Sequence, residues 1–322
     1  MEIPFPPKDT EERYSLLADY GDKVYNSIKA GNPDAVWVMQ GWMFGYQRHI
    51  WDYETLQSLV SKVPNEKMLL LDLAEDYNHL FWENGANWEF YKGFYGKEWI
   101  YSVIPNMGGK SGLTGKLDFY ANGRLQALCS ANKGNLTGYG MAPEGIENNE
   151  IIYELVCDGG WTSEAIDMDK WLHNYSLCRY GNVPDEITEF WEGMRKSVYG
   201  SFTDHPRYNW QFRPGSIRKG SINANDAFYQ GIETLKNAIP AMKDSPLFAI
   251  DMIEMTAQYL GGKMEILVQA IDLAYQNGDM DKAAAMETEF ETLMLDTDRL
   301  LCSHPTLRLE NWLLYARNWG ST

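Results

Sequence analysis

The chain has 322 residues, a formal net charge of −17 and a pI near 4.7. That acidity excludes nucleic acid as a partner and disfavours a polyanionic docking surface, because phosphate recognition needs clustered Lys and Arg. No apolar run approaches the roughly 18 residues of a membrane span, and the length suffices for a buried core and two domains.

The opening residues, Met1 to Pro7, lack the basic start and apolar segment of a signal peptide. Leu16, Leu17, Tyr20, Val24, Tyr25 and Ile28 then recur at helical spacing and predict a helix over 11–28. Four strand-like runs follow at 35–42, 68–73, 99–106 and 135–141, spaced as strand–helix units are. The first three are almost continuously apolar, as strands buried on both faces should be. Helical patterns at 53–63 and 116–131, and from Ile146 onward, fill the gaps. The alternation predicts α/β architecture with a parallel sheet and helical crossovers. Four strands are half of the eight that close a β/α barrel. An open sheet, a piece of a longer protein, or further strands would each account for the number. Open edges near Ala35 and Asn135 invite self-association.

After Trp161 strand patterns stop. Helices are expected over 166–180, 184–199, 224–239, 247–276 and 279–301. The fold class is therefore α/β followed by all-α, with domains at 1–160 and 161–322. In the long helix, Leu247, Ile250, Ile253, Glu254, Ala257, Leu260, Met264 and Leu267 form the expected buried stripe, with a kink expected at Gly261-Gly262. The aromatic, Pro- and Arg-rich stretch 202–220 is either a loop over the mouth of the first domain or a surface connection packed by its own side chains. The four cysteines have neither zinc nor disulfide-framework spacing, and Cys157 and Cys178 are expected in the core.

In a parallel β/α sheet the chemistry gathers where the strands end. The first run ends in Gln40-Gly41-Trp42, the second in Asp72-Leu73 with Glu75-Asp76 behind, and the third in Pro105-Asn106-Met107-Gly108-Gly109. The fourth leads into Gly138-Tyr139-Gly140-Met141-Ala142-Pro143-Glu144-Gly145. Glu144 is a carboxylate at the strand-to-helix handover. It reads either as half of a glycosidase pair or as an acid satisfying free helix N–H groups. Trp42 is a sugar platform or a core residue capping the sheet. Asp72, behind an apolar run, must find a partner or shift its pKa. No histidine pair has metal-site spacing, and neither a nucleotide loop nor a nucleophilic-serine motif is present. No metal and no cofactor are therefore expected, and carboxylate chemistry on glycosides remains.

AVWVMQGWMF (35–44), VPNEKMLLLDLAE (63–75), WIYSVIPNMGG (99–109), GYGMAPEGIENNEIIYEL (138–155) and WLHNYSLCRYG (171–181), in this order and with these gaps, resemble the α-N-acetylglucosaminidase family of glycoside hydrolases. The resemblance implies release of terminal α-linked N-acetylglucosamine from glycans with retention of configuration. It implies a small N-terminal α/β domain, a (β/α)8 barrel and an all-α C-terminal domain. It puts Glu144 on the nucleophile, Trp42 on a pocket-lining ring, His205 on a pocket histidine, and Ile104 and Met107 on apolar pocket positions. Leu73, at the end of the second run, joins these substrate-binding positions. The family's acid/base glutamate sits in an Asn-Glu-Met motif, and Met1 matches its methionine, so that carboxyl would lie just before residue 1. The chain is thus expected to be a middle piece: a partial barrel with an incomplete helical domain, weakly active or inactive by itself. For the full-length protein the resemblance implies a secreted, periplasmic or lysosomal setting. The alternative is a non-catalytic carbohydrate-binding or scaffold protein of the same fold.

Overall fold

The computed structural model describes residues 10–105, 113–144, 149–203, 208–211 and 224–320. The chain divides into two compact units, one of residues 1–110 and 117–166, the other of 111–116 and 167–322.

In the first unit the described elements run α1 (Glu11–Gly31), β1 (Trp37–Gln40), α2 (Trp42–Tyr46), α3 (Tyr53–Val60), β2 (Met68–Asp72), α4 (Glu75–Leu80), α5 (Asn87–Phe90), β3 (Glu98–Val103), α6 (Leu117–Cys129), β4 (Asn135–Met141) and α7 (Glu150–Gly159). Helix α1 begins where the Thr10 side chain caps the Arg13 N–H, with Glu11 and Glu12 in the first turn and Lys29 in the last. Its buried face is narrower than its apolar spacing suggests. Leu17, Gly21 and Tyr25 are buried, whereas Leu16 and Tyr20 are exposed. The reason is the close crossing with α3: a Cβ on Gly21 would sit 1.9 Å from the Leu59 carbonyl oxygen.

The four strands form one parallel sheet in the order β1-β2-β3-β4. Leu70 lies between Met39 and Trp99 in register, and Asp72 opposite Tyr101. The parallel sheet with helical crossovers is what the alternation of elements predicts, and four parallel strands are what the resemblance implies for part of a (β/α)8 barrel. The expectation of strands buried on both faces is corrected. Met68, Leu70, Trp99, Tyr101 and Val103 share one buried face, where Trp99 packs on Trp88 and Phe94 with ring centroids 6.3 and 5.4 Å away. On the other face Leu69, Leu71 and Ile100 are half-buried and Val38 is 53% exposed. An open sheet of four strands covers only the side its crossover helices occupy, and their common hand puts them on one side.

The second unit contains α8 (Met168–Tyr180), α9 (Asp185–Arg195), α10 (Asp226–Asn237), α11 (Ile239–Met242), α12 (Pro246–Gln276), α13 (Met280–Leu301) and α14 (Leu309–Trp319). Helix α12 is unbroken through Gly261-Gly262, contrary to the expected kink. These glycines make room for rings: added Cβ atoms would lie 2.5 Å from the Tyr208 ring and 2.4 Å from the Tyr229 hydroxyl. Its buried stripe is also displaced from the expected one. Phe248, Asp251, Met255, Met264 and Glu265 are buried, while Leu247 is exposed. The burial of Asp251 explains the shift. Arg179 of α8 grips it through Nε and Nη2, both at 2.6 Å, and the Tyr180 hydroxyl donates to it at 2.8 Å. Apolar spacing cannot reveal a face centred on a bidentate ion pair.

Tyr208 and Trp210, within the 202–220 stretch, stack on each other and bond to α12. The Tyr208 hydroxyl donates to the Gln258 carbonyl at 2.8 Å, and the Trp210 indole N–H to that of Gly261 at 3.0 Å. Cys157 and Cys178 are exposed, correcting the expectation of core cysteines. Each lies just off the stripe its helix buries, Ile151, Ile152, Leu155 and Val156 in α7 and Leu172, Tyr175 and Ser176 in α8. No helix among the described residues is long and apolar enough to cross a membrane.

Candidate active site

Four of the expected site residues stand at successive strand ends of the first unit. Trp42 opens α2 two residues past β1, Leu73 directly follows β2, Ile104 directly follows β3, and Glu144 lies three residues past β4. Hydrogen bonds fix these exits. The Gly41 N–H donates to the Leu71 carbonyl at 2.7 Å, and the Ala142 N–H to the Val103 carbonyl at 2.9 Å. Gly41 is needed there, since a Cβ would come within 2.9 Å of the same Leu71 oxygen. The β1 exit is thereby tied to β2, and the β4 exit to β3. Parallel strands bring these ends to one rim.

Glu144 is exposed. Trp42 is half-exposed and meets Tyr46 in a tilted ring contact at 6.0 Å, so it is not a buried core residue. Tyr46 in turn touches Trp82 at 5.3 Å. Leu73 and Ile104 are buried, at 8% and 3% exposure, and offer a ligand little surface. Met107 and His205 lie outside the described residues.

Behind the rim is a buried acidic network. Asp72, Glu75 and Asp76 are all fully buried. Asn87 is the hub: its Nδ2 donates to Asp72 Oδ1 at 3.0 Å, its backbone N–H to Glu75 Oε1 at 3.3 Å, and its Oδ1 accepts from Arg48 at 2.8 Å. Glu75 also accepts from Asn78 at 3.3 Å and meets the His79 ring at 3.1 Å. Burial pushes Asp72 well above the usual carboxylate range, and the adjacent Glu75 adds to it. Burial likewise pushes Glu75 up to about 7. Burial lowers His79, which favours the neutral ring. Asp72 Oδ2 has no donor among the described residues and faces the Glu75 carboxyl. A proton held between the two carboxyls supplies the missing hydrogen.

Asp76 makes a separate set of bonds. Its Oδ1 accepts from the Ile104 N–H at 3.0 Å and from the Tyr77 N–H at 3.1 Å. Its Oδ2 accepts from the Tyr120 hydroxyl at 2.9 Å. The sequence signals that Asp72 needs a partner, and Asp72 has one in Glu75 and Asn87. It gives no sign of Asn87, Arg48 or Tyr120, which come from α5, the turn after α2 and α6 and carry no local pattern that links them to Asp72. Among the described residues no three His, Cys, Asp or Glu side chains converge on a metal-sized site.

Comparison with known proteins agrees with the fold. The α-N-acetylglucosaminidase (NAGLU) tim-barrel domain matches residues 5–163, and the C-terminal domain of the same family matches residues 171–322. Human α-N-acetylglucosaminidase is 28% identical over 320 residues, which are 97% of this chain and 42% of the human protein. A family 89 glycoside hydrolase from Clostridium perfringens, solved with 2-acetamido-1,2-dideoxynojirmycin, has a TM-score of 0.76 at 24% identity. The match covers 92% of this chain and 33% of that one. The same enzyme solved with PUGNAc gives 0.77 at 25% identity, over 88% of this chain and 32% of that one. This chain therefore spans less than half the length of these relatives. With two domain matches from one family in their proper order, and a four-stranded parallel sheet running into helices, the chain belongs to the α-N-acetylglucosaminidase family.

Proposed function

We propose that this chain carries the nucleophile of a retaining glycosidase that releases terminal α-linked N-acetylglucosamine from glycans. The observation that carries the reading is an exposed carboxyl, Glu144, just past the end of β4 on the rim that also presents Trp42. In the reaction Glu144 attacks the anomeric carbon and the leaving oxygen departs, giving a covalent glycosyl-enzyme. A second carboxyl about 5–5.5 Å away protonates that oxygen and then activates the water that frees the sugar. Trp42 offers a ring face to the pyranose. His205 and Met107 add sugar contacts in this reading, and the buried Ile104 and Leu73 back the pocket wall. A Clostridium perfringens relative solved with its substrate GlcNAc-α-1,4-galactose supports the linkage assigned.

In this reading the second carboxyl is the glutamate of the family's Asn-Glu-Met motif. Loss of general-acid assistance costs roughly 10²–10⁴-fold on a poor leaving group and much less on an activated aryl glycoside. The test is hydrolysis of p-nitrophenyl α-N-acetylglucosaminide by wild type and Glu144→Gln. The reading expects turnover that Glu144→Gln abolishes. Equal rates in the two remove Glu144 from the mechanism. Binding of N-acetylglucosamine with no turnover of any aryl glycoside would favour the carbohydrate-binding alternative.

A further inference from the structure

Asp76 is a fully buried acid to which the hydrolytic reaction assigns no step. It sits in the second residue of α4, directly behind the end of β2. It accepts from donors in three places: the Tyr77 N–H of its own helix, the Ile104 N–H at the end of β3, and the Tyr120 hydroxyl of α6. The Ile104 N–H reaches both carboxyl oxygens, at 3.0 and 3.2 Å. At that point the β3 ladder has ended: the last paired residue is Val103, opposite Met141. Among the described residues no strand neighbour is paired with Ile104, and a side-chain acceptor takes over its amide.

We infer that Asp76 is a positioning residue for the sugar site: by holding the Ile104 amide and the Tyr120 hydroxyl together, it sets where the chain leaves β3 and enters the rim. This rests on the proposed function, since Ile104 belongs to the proposed site. The physical basis is asymmetry. A buried amide stripped of its acceptor must find water or move, and movement is what a strand end without a ladder partner allows. Tyr120 would lose its acceptor in the same substitution and loosen α6 against α4. Asn at position 76 keeps one acceptor oxygen for the Ile104 amide, and the Tyr120 hydroxyl can rotate to accept from its amide nitrogen.

The test is calorimetry of the full chain with N-acetylglucosamine, on variants whose folding is checked by circular dichroism. Asp76→Ala should weaken binding by roughly tenfold or more, the scale of a misplaced site wall, and Asp76→Asn should recover most of the loss. If Asp76→Ala does not fold, Asp76→Ser, too short to reach Ile104, replaces it throughout. Wild-type affinity in the truncated variant, or no recovery in Asp76→Asn, overturns the positioning role and leaves the glycosidase reading standing. Wild-type chain that does not bind the sugar overturns both.

Discussion

Replacing Asp72 with asparagine should flatten the pH dependence of stability. In the folded chain Asp72 and Glu75 face each other in full burial, and Glu75 holds its proton from an ordinary 4.5 up to about 7. The unfolded chain releases the proton near the ordinary value. Between the two the folded state binds more protons than the unfolded state, so stability falls as pH rises through that window. At about 1.4 kcal/mol for each pH unit, the loss is about 3 kcal/mol for Glu75 alone. His79 acts in the opposite sense. Its lowered folded pKa contributes stability that is present above the ordinary histidine value and is lost as pH falls. Comparing wild type with Asp72→Asn removes most of the His79 contribution, since both chains keep that ring. Asn at position 72 can still accept from Asn87 and its own amide can donate to Glu75; burial still raises Glu75, but the further contribution of Asp72, which burial and Glu75 push well up, is gone. Urea unfolding at a series of values from about pH 5 to pH 8 should show wild type losing stability on the alkaline side. The variant should lose less. Identical slopes in the two chains would refute the shared-proton account.

Asp251→Ala should cost about 3–5 kcal/mol, because it leaves the largely buried Arg179 guanidinium without its bidentate partner; chemical denaturation reads this directly. Gly262→Ala should destabilise by about 1–3 kcal/mol, since the new methyl group would overlap the Tyr229 hydroxyl; a thermal melt unchanged from wild type would contradict the packing reason given for the glycine pair. Sedimentation velocity should show self-association that rises with concentration, because β1 and β4 each have one strand neighbour among the described residues and leave a backbone edge open. A compact monomer at all concentrations would contradict it.

The sheet and most long helices were legible because their signals are local. Met68 to Leu71 is a continuous apolar run, and Leu56, Leu59 and Val60 recur at helical spacing. What was not legible depends on partners distant in the chain. Val38 is apolar yet exposed, because sequence cannot tell how many strands flank it. Asp251 is charged yet buried, because Arg179 stands 72 residues away. The expected kink at Gly261-Gly262 failed for the same reason: the rings of Tyr208 and Tyr229, distant in sequence, require the absence of a Cβ. At the rim, Trp42 and Glu144 could be singled out because each follows a strand signal. The acids behind them gave only the hint that Asp72 needs company. Short helices α4 and α5, which carry Glu75, Asp76 and Asn87, are too brief for periodicity to detect.

The central claim is that Glu144 forms a bond to the sugar. Mass spectrometry of the chain after reaction with an activated aryl α-N-acetylglucosaminide tests it most directly. An activated leaving group speeds formation of the glycosyl-enzyme more than its hydrolysis, so the covalent species should accumulate. The account predicts one sugar residue per chain, on the peptide containing Glu144, and none on Glu144→Gln. A sugar attached elsewhere, or turnover by wild type with no covalent species and no loss in Glu144→Gln, would contradict it.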